Sequence, residues 1–185
     1  MKLVLETARL LLRELEISDA ETMFELNSDL DVIRYTGDGP FESVKSAAQF
    51  LENYTDYKKN GFGRWACIEK NSNEFIGWCG LKKHKDEVVD IGYRFFKKDW
   101  GKGFATESAK ASLAYGFNNL NLPEIIGRSD ASNIASIKVL QKLNMQFWKE
   151  ETIDGIKNAL IFRIKKEDFF PVSYTHLTLP TKRIV

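Results

Sequence analysis

One stretch of eight residues, Trp100-Gly101-Lys102-Gly103-Phe104-Ala105-Thr106-Glu107, constrains this chain most. It follows a strand-like run, Val88 to Phe96, and opens a helix-like run that lasts to about Asn119. Gly101 and Gly103 lack a Cβ, so the backbone there can take a positive φ and lie close to a ligand. The first amides of a helix have no intrahelical partner and carry a partial positive charge. The stretch therefore predicts a seat for a pyrophosphate.

Such a stretch can also belong to three other kinds of structure. A dinucleotide-binding fold has G-x-G-x-x-G after its first strand, but Thr106 stands where the third glycine belongs and a meander of strands precedes the turn. A Walker A loop is excluded because G-x-x-x-x-G-K-[ST] does not occur. A glycine turn that only packs a strand against a helix stays open at this point, since such connections are common in α/β domains.

Length and composition indicate one domain with a sizeable core. The chain has 185 residues, of which 43% are hydrophobic and 12% aromatic. Its 27 Lys and Arg nearly balance its 26 Asp and Glu, so no basic field exists to hold a nucleic acid or an anionic membrane. No apolar run approaches the ~18 residues of a membrane span, and the first residues reach charge too soon for a signal peptide. We therefore expect a cytoplasmic protein with neither partner.

Cys67 and Cys79 are the only cysteines. Without further Cys or His at ligand spacing they predict neither a disulfide framework nor a metal site. We expect two buried free thiols on neighbouring strands.

The order of local patterns predicts an α/β (α+β) domain with a mixed, mostly antiparallel sheet and helices on both faces. About seven strands are expected, at 9–14, 63–70, 75–82, 88–96, 124–128, 145–152 and 157–165. The expected helices span about 18–27, 41–59, 104–119 and 132–143. Asp154-Gly155 would form the tip of the last hairpin.

The segment from Pro171 to Val185 differs in character, with two prolines, three threonines and no acid. We expect a single domain over residues 1–170 and a disordered or non-native tail over 171–185. A native flexible terminus and a segment foreign to the domain are both compatible with this composition.

Three motifs together resemble the GNAT N-acetyltransferases, and the resemblance covers residues 7 to about 168. They are Asp90-Ile91-Gly92-Tyr93-Arg94-Phe95, then the glycine stretch, then Asn133-x-x-Ser136-x-x-x-Leu140-x-Lys142-Leu143. The most similar branch includes ribosomal-protein N-terminal acetyltransferases and many small-amine acetyltransferases. The resemblance implies acetyl-CoA as cosubstrate and no metal.

The resemblance also implies where acetyl-CoA binds. Its pyrophosphate would lie on the glycine turn, and its pantetheine between two splayed strands, Val88 to Phe96 and Glu124 to Arg128. The implied cofactor-binding residues are Ile91, Gly92, Tyr93, Phe95, Trp100, Gly101, Lys102, Gly103, Phe104, Ala105, Thr106, Asn133 and Ser136.

Acetyl transfer needs a base for the amine, a donor for the carbonyl oxygen and an acid for the leaving thiolate. Asp90 is our candidate for the base, directly or through water, with a solvated acid at a strand start as the alternative. A free N–H near Gly92 or Tyr93 would supply the donor. Many members place a tyrosine where this chain has Leu140, so Ser136 is the nearest hydroxyl for the acid role. A non-catalytic CoA-binding sensor or interaction module is therefore the alternative function.

The acceptor is expected to be a primary amine on a peptide N-terminus or a small molecule. Asp38, in the glycine-rich connection after the first helix, and Asp154 would favour a cationic acceptor. Trp65 and Trp78 could line its pocket, with a place in the core as the alternative. The sequence leaves a monomer and a homodimer equally open.

Overall fold

The computed structural model describes residues 2–153 and 155–169 of the chain. The strands are β1 (Leu3–Glu6), β2 (Leu10–Glu14), β3 (Arg64–Glu69), β4 (Phe75–Lys83), β5 (Val89–Phe95), β6 (Glu124–Asp130), β7 (Gln146–Ile153) and β8 (Ile156–Lys165). The helices are α1 (Ala20–Ser28), α2 (Leu30–Ile33), α3 (Val44–Glu52), α4 (Asp56–Asn60), α5 (Phe104–Asn118) and α6 (Ile134–Lys142).

The strands form one eight-stranded sheet in the order β1-β2-β3-β4-β5-β6-β8-β7. Neighbours are antiparallel except β5 and β6, which run parallel. The expected mixed, mostly antiparallel α/β fold is confirmed. The sequence did not predict the eighth strand, β1, because four residues are too few to show the alternation of apolar and polar residues that is typical of a strand. Its pairing with β2, in which Leu5 lies opposite Leu12, makes it a strand.

Helices cover both faces of the sheet, as expected. On the α5 face, Trp65 packs against Tyr115 of α5 with ring centroids 5.5 Å apart, and the Cys79 thiol lies 3.7 Å from the Ser112 hydroxyl. On the opposite, α1 face, Trp78 packs against the buried cluster formed by α1 and α3. The two faces therefore carry different chemistry: the α5 face is core, and the α1 face holds charged side chains.

The helix expected over 41–59 is interrupted between α3 and α4. The Asn53 side chain donates to the Gln49 carbonyl, and the Tyr54 and Tyr57 hydroxyls bond to the main chain of Arg64. These tertiary bonds outweigh the weak preference of the local sequence for one continuous helix.

Cys67 and Cys79 are free and buried, as expected, and burial raises the pKa of both thiols. Within the described ranges, no helix is long and apolar enough to cross a membrane. The tail predicted over 171–185 lies outside the described residues.

Candidate functional site

The glycine turn adopts the conformation that the sequence predicts. Gly101 has φ +75° and Gly103, the N-cap of α5, has φ +84°. A Cβ on Gly101 would meet nothing within 4 Å, so the turn has an open side. The first α5 amide bonded within the helix is that of Glu107, which donates to the Gly103 carbonyl at 3.0 Å. The amides before it remain for a ligand, as in other anion seats at helix N-termini.

Arg9 and Glu107 stabilise the conformation of the glycine turn. The Arg9 Nε donates to Glu107 Oε2 at 2.7 Å, its Nη1 donates to the Lys102 carbonyl at 2.9 Å, and its guanidinium lies 4.4 Å from the centre of the Phe104 ring. Burial alone would raise the pKa of Glu107, but hydrogen bonds from Thr7 and Arg9 lower it. The turn is therefore held in shape by Thr7 and Arg9, which lie far from it in the sequence.

The other predicted residues of the turn divide between side-chain and main-chain roles. The Lys102 ammonium pairs with the buried Asp99 at 2.8 Å, so its charge is partly neutralised. Trp100 is half-exposed, and its Nε1 donates to the Phe95 carbonyl at 2.8 Å. Phe104 is buried in the core and can offer a ligand only its main chain, whereas Ala105 and Thr106 are partly exposed.

β5 and β6 are paired at only two positions and then separate, so that they form a fork. Asp90 lies opposite Ile126 and Ile91 opposite Gly127. Beyond these, residues 92–95 pair only with β4 and residues 128–130 only with β8. Main-chain groups of β5 that face the fork are thus free of sheet bonds.

Tyr93 and α6 lie on the α5 side of the fork. The Tyr93 hydroxyl donates to the Ser136 carbonyl at 3.0 Å and lies 3.1 Å from the Ser136 hydroxyl. The Asn133 side chain accepts from the Ser136 amide at 3.1 Å and so caps α6. Leu140 is buried against Gly127, and its side chain leaves no space for a Cβ on Gly127. The side chains of Ile91 and Phe95 are buried in the core.

On the α1 face, Arg64 crosses two strands to reach the fork. Arg64, Gly80 and Gly92 lie in register on β3, β4 and β5. Because neither glycine has a side chain, the guanidinium extends over both and donates to Asp90 Oδ1 at 2.6 Å. A Cβ on Gly92 would lie 2.5 Å from Arg64 Cζ. Gly92 is therefore required by the path of the Arg64 side chain.

Asp90 is buried beside Arg64, His84 and Arg128. Its second oxygen lies 3.0 Å from His84 Nε2, and Arg128 Nη1 lies 3.3 Å and 3.4 Å from the two His84 ring nitrogens. Burial would raise the pKa of Asp90, but Arg64, His84 and Arg128 outweigh it and lower the pKa to about 2. Such a carboxylate is a poor proton acceptor, which argues against Asp90 as the base.

The predicted acceptor residues separate in the structure. Trp65 is fully buried on the α5 face, which argues against its lining a pocket; Trp78 lies on the α1 face, 5.3 Å from the Arg94 guanidinium. Arg94 Nη2 pairs with Asp38 at 2.9 Å, so Asp38 is not a free anion. Asp154 lies outside the described residues.

A family model described as "Acetyltransferase (GNAT) domain" matches residues 9–146, a range that contains both the fork and the glycine turn. The chain belongs to the GNAT acetyltransferase family.

Relatives of this GNAT chain support the assignment. It is 36% identical over 145 residues to an uncharacterized N-acetyltransferase, p20, of Bacillus licheniformis, covering 77% of this chain and 82% of p20. It is 28% identical to the spermidine N(1)-acetyltransferase of Escherichia coli K12, covering 71% and 70% of the two chains. The crystal structure of a GNAT-family acetyltransferase from Bacillus anthracis has a TM-score of 0.77 and 28% identity, with 89% and 99% covered. Acyltransferase activity follows, and the ribosomal-protein branch stays a prediction.

The β7–β8 turn of this GNAT domain contacts the connection between α2 and α3 through two glycines. A Cβ on Gly155, in the β7–β8 turn, would overlap the main chain of Gly37 in the connection between α2 and α3. Both glycines have a positive φ. The connection and the hairpin thus contact each other.

Four residues of this GNAT site were missed from the sequence: Arg64, Arg94, Arg128 and His84. The signal that could have predicted the contact of Arg64 with Asp90 is the alignment of Arg64 with Gly80 and Gly92 on neighbouring strands. Recognising this alignment requires knowledge of which residues are paired between the strands.

Asp90 gives the GNAT domain a specific acid sensitivity. Since the pKa of Asp90 in the folded protein, about 2, lies below its ordinary value of 3.8, its stabilisation is nearly complete above about pH 4 and is lost as the pH falls towards 2. The wild-type protein should lose unfolding free energy as the pH falls from 5 to 2. In Asp90→Asn this loss should be smaller by on the order of 2 kcal/mol. Urea unfolding across this range measures it. Asp168→Asn, at an exposed carboxylate, is the control, and an equal acid loss in wild type and Asp90→Asn would contradict the assignment.

Proposed function

We propose that this GNAT protein transfers an acetyl group from acetyl-CoA to a primary amine, on a protein N-terminus or a small molecule, by direct attack of the amine on the thioester. The observation that carries the proposal is the continuity of the fork with the glycine turn. β5 ends at Phe95, and the chain then leads directly into the turn at the N-terminus of α5. One continuous path thus offers free strand groups for pantetheine and free helix amides for a pyrophosphate.

The residues of this path fit acetyl-CoA. Gly101 and Gly103 leave the side of the turn open, and the residues of β5 beyond Ile91 have no bonds to β6. Trp100 would cover the cofactor beside the turn, and Asn133 and Ser136 would contact it from α6. Acetyl-CoA supplies the thioester that the amine attacks.

Two groups beside the fork would stabilise the charges that develop. A main-chain N–H of Gly92 or Tyr93 would donate to the carbonyl oxygen. The Tyr93 and Ser136 hydroxyls, 3.1 Å apart, would together return a proton to the thiolate, because Leu140 offers no hydroxyl there. A free thiol has a pKa of about 8.5, so modest assistance is sufficient.

His84 is the better candidate for accepting the proton of the amine. Imidazole exchanges protons near neutral pH, and the Asp90 carboxylate, 3.0 Å from Nε2, holds the ring in place. Asp90 would then be a positioning residue, an arrangement that resembles the Asp–His half of a catalytic triad.

His84→Gln tests this role. Glutamine can still bond to Asp90 but cannot accept a proton, so we expect kcat to fall by about 100-fold while the KM for acetyl-CoA stays unchanged. Thiol release measures both constants. Lys85→Gln, at the neighbouring exposed position, is the control. Retention of kcat in His84→Gln would exclude His84 as the base.

The function itself is tested by calorimetry with acetyl-CoA, NAD and ATP, followed by a thiol-release screen of peptide N-termini and small amines. We expect binding of acetyl-CoA alone and release of CoA with at least one class of amine. Leu140, buried where many family members have tyrosine, favours one other function, a non-catalytic CoA sensor. Tight binding of acetyl-CoA without thiol release for any amine would support the sensor and contradict the proposed activity.

A further inference from the structure

The α1 face at the fork carries an excess of positive charge. Three guanidinium groups, those of Arg64, Arg94 and Arg128, lie around the fork with two carboxylates, those of Asp90 and Asp38. Arg64 is matched by Asp90, and Arg94 by Asp38. Each of the two carboxylates is therefore already paired with an arginine, and the third guanidinium forms no ion pair with either carboxylate.

Arg128 is this unmatched cation. Across residues 2–153 and 155–169, its hydrogen-bond contacts are the two long ones to the His84 ring, and its Nε is buried without a hydrogen-bond partner, while its charge acts on Asp90 without forming an ion pair. A buried guanidinium donor without an acceptor is costly, and a planar fork of donors suits a carboxylate. Arg128 directly follows Gly127, the last β6 residue in register with β5, so it lies where the fork opens.

The spacing also limits the size of an anionic ligand. Arg128 Nη1 lies 3.4 Å from His84 Nδ1, the ring nitrogen left to accept a proton when Nε2 bonds to Asp90. A carboxylate held by Arg128 would thus be only a few bonds from an amine beside His84. α- and β-amino acids have their amine and carboxylate at this separation.

We propose that the amine acceptor carries a carboxylate next to its amine, as in an amino acid, and that Arg128 binds this carboxylate. The inference rests on the proposed function and names its substrate class. It reverses the expectation of a cationic acceptor, because Asp38 is paired with Arg94. It also sets this chain apart from its relative named as a spermidine N(1)-acetyltransferase, since a polycation would meet an unmatched guanidinium.

The test is an acetyl-transfer screen of amino acids, each compared with its amide and with its decarboxylated amine, and with spermidine and phosphoethanolamine alongside. We expect kcat/KM for the best free amino acid to exceed that of its amide by at least about tenfold, as for a hydrogen-bonded charge. Equal use of acid and amide, or a preference for spermidine, would overturn the proposal. A preference for phosphoethanolamine would overturn the assignment to a carboxylate.

Arg128→Gln connects this preference to the residue. We expect its KM for the amino acid to rise about tenfold to a hundredfold, with a smaller change in kcat. Lys59→Gln removes one exposed positive charge far from the fork and is the control. Thermal melting and acetyl-CoA calorimetry of Arg128→Gln establish that the variant is folded. An unchanged KM in a folded variant would overturn the role of Arg128.

The two proposals fail in different ways. If no amine releases CoA although acetyl-CoA binds, the proposed acetyl transfer is wrong. If transfer occurs but is indifferent to the carboxylate, only the substrate class is wrong.

Discussion

Replacing Gly103 with glutamate should weaken acetyl-CoA binding at least about 100-fold, equivalent to nearly 3 kcal/mol. The new carboxylate would lie at the α5 N-terminus, where the proposed pyrophosphate needs free amides and positive potential. A side chain there also meets a φ of +84° and lies 3.4 Å from Arg9 Nη2. Calorimetry with acetyl-CoA gives the affinity directly.

Gly61→Glu is the matched control for this variant. Gly61 has φ +79°, a Cβ there would meet nothing within 4 Å, and it ends α4, away from the glycine turn. The same residue in the same left-handed conformation thus carries a similar backbone strain without touching the seat. Equal acetyl-CoA affinity in the two variants would show that the pyrophosphate does not bind at Gly103.

Replacing Arg64 with methionine should reduce the free energy of unfolding by about 3 kcal/mol or more, because it leaves a buried carboxylate without its principal cation. The Asp90 side chain is 9% exposed and that of Arg64 14%, so water cannot replace the lost partner readily. Urea unfolding at pH 7 measures the change.

A double variant separates the ion pair from the packing of Arg64. In Arg64→Met combined with Asp90→Asn, neither position of the pair carries an unpaired buried charge, so part of the loss should be recovered. Arg34→Met, which removes an arginine whose side chain is 61% exposed, should cost less than about 1 kcal/mol. Strictly additive effects of the two substitutions would contradict a coupled pair.

Local chemistry was sufficient for the seat and for most elements. The glycine stretch predicts a left-handed turn and an open helix N-terminus because these depend on missing Cβ atoms and unpaired amides within the same few residues. The observed φ values at Gly101 and Gly103 confirm the conformation. The order and nature of seven strands likewise follow from the period of the apolar residues, which is a local property.

The network on the α1 face depends instead on lateral register. Whether Arg64 can reach Asp90 is decided by two glycines on two other strands, and a shift of one residue would place side chains across its path. The same applies to Arg9, whose contact with Glu107 joins positions 98 residues apart. Sequence alone therefore determined the conformation of the glycine turn and the fold class of this protein. Only the tertiary structure decided which cations surround Asp90, because their meeting depends on strands paired side by side.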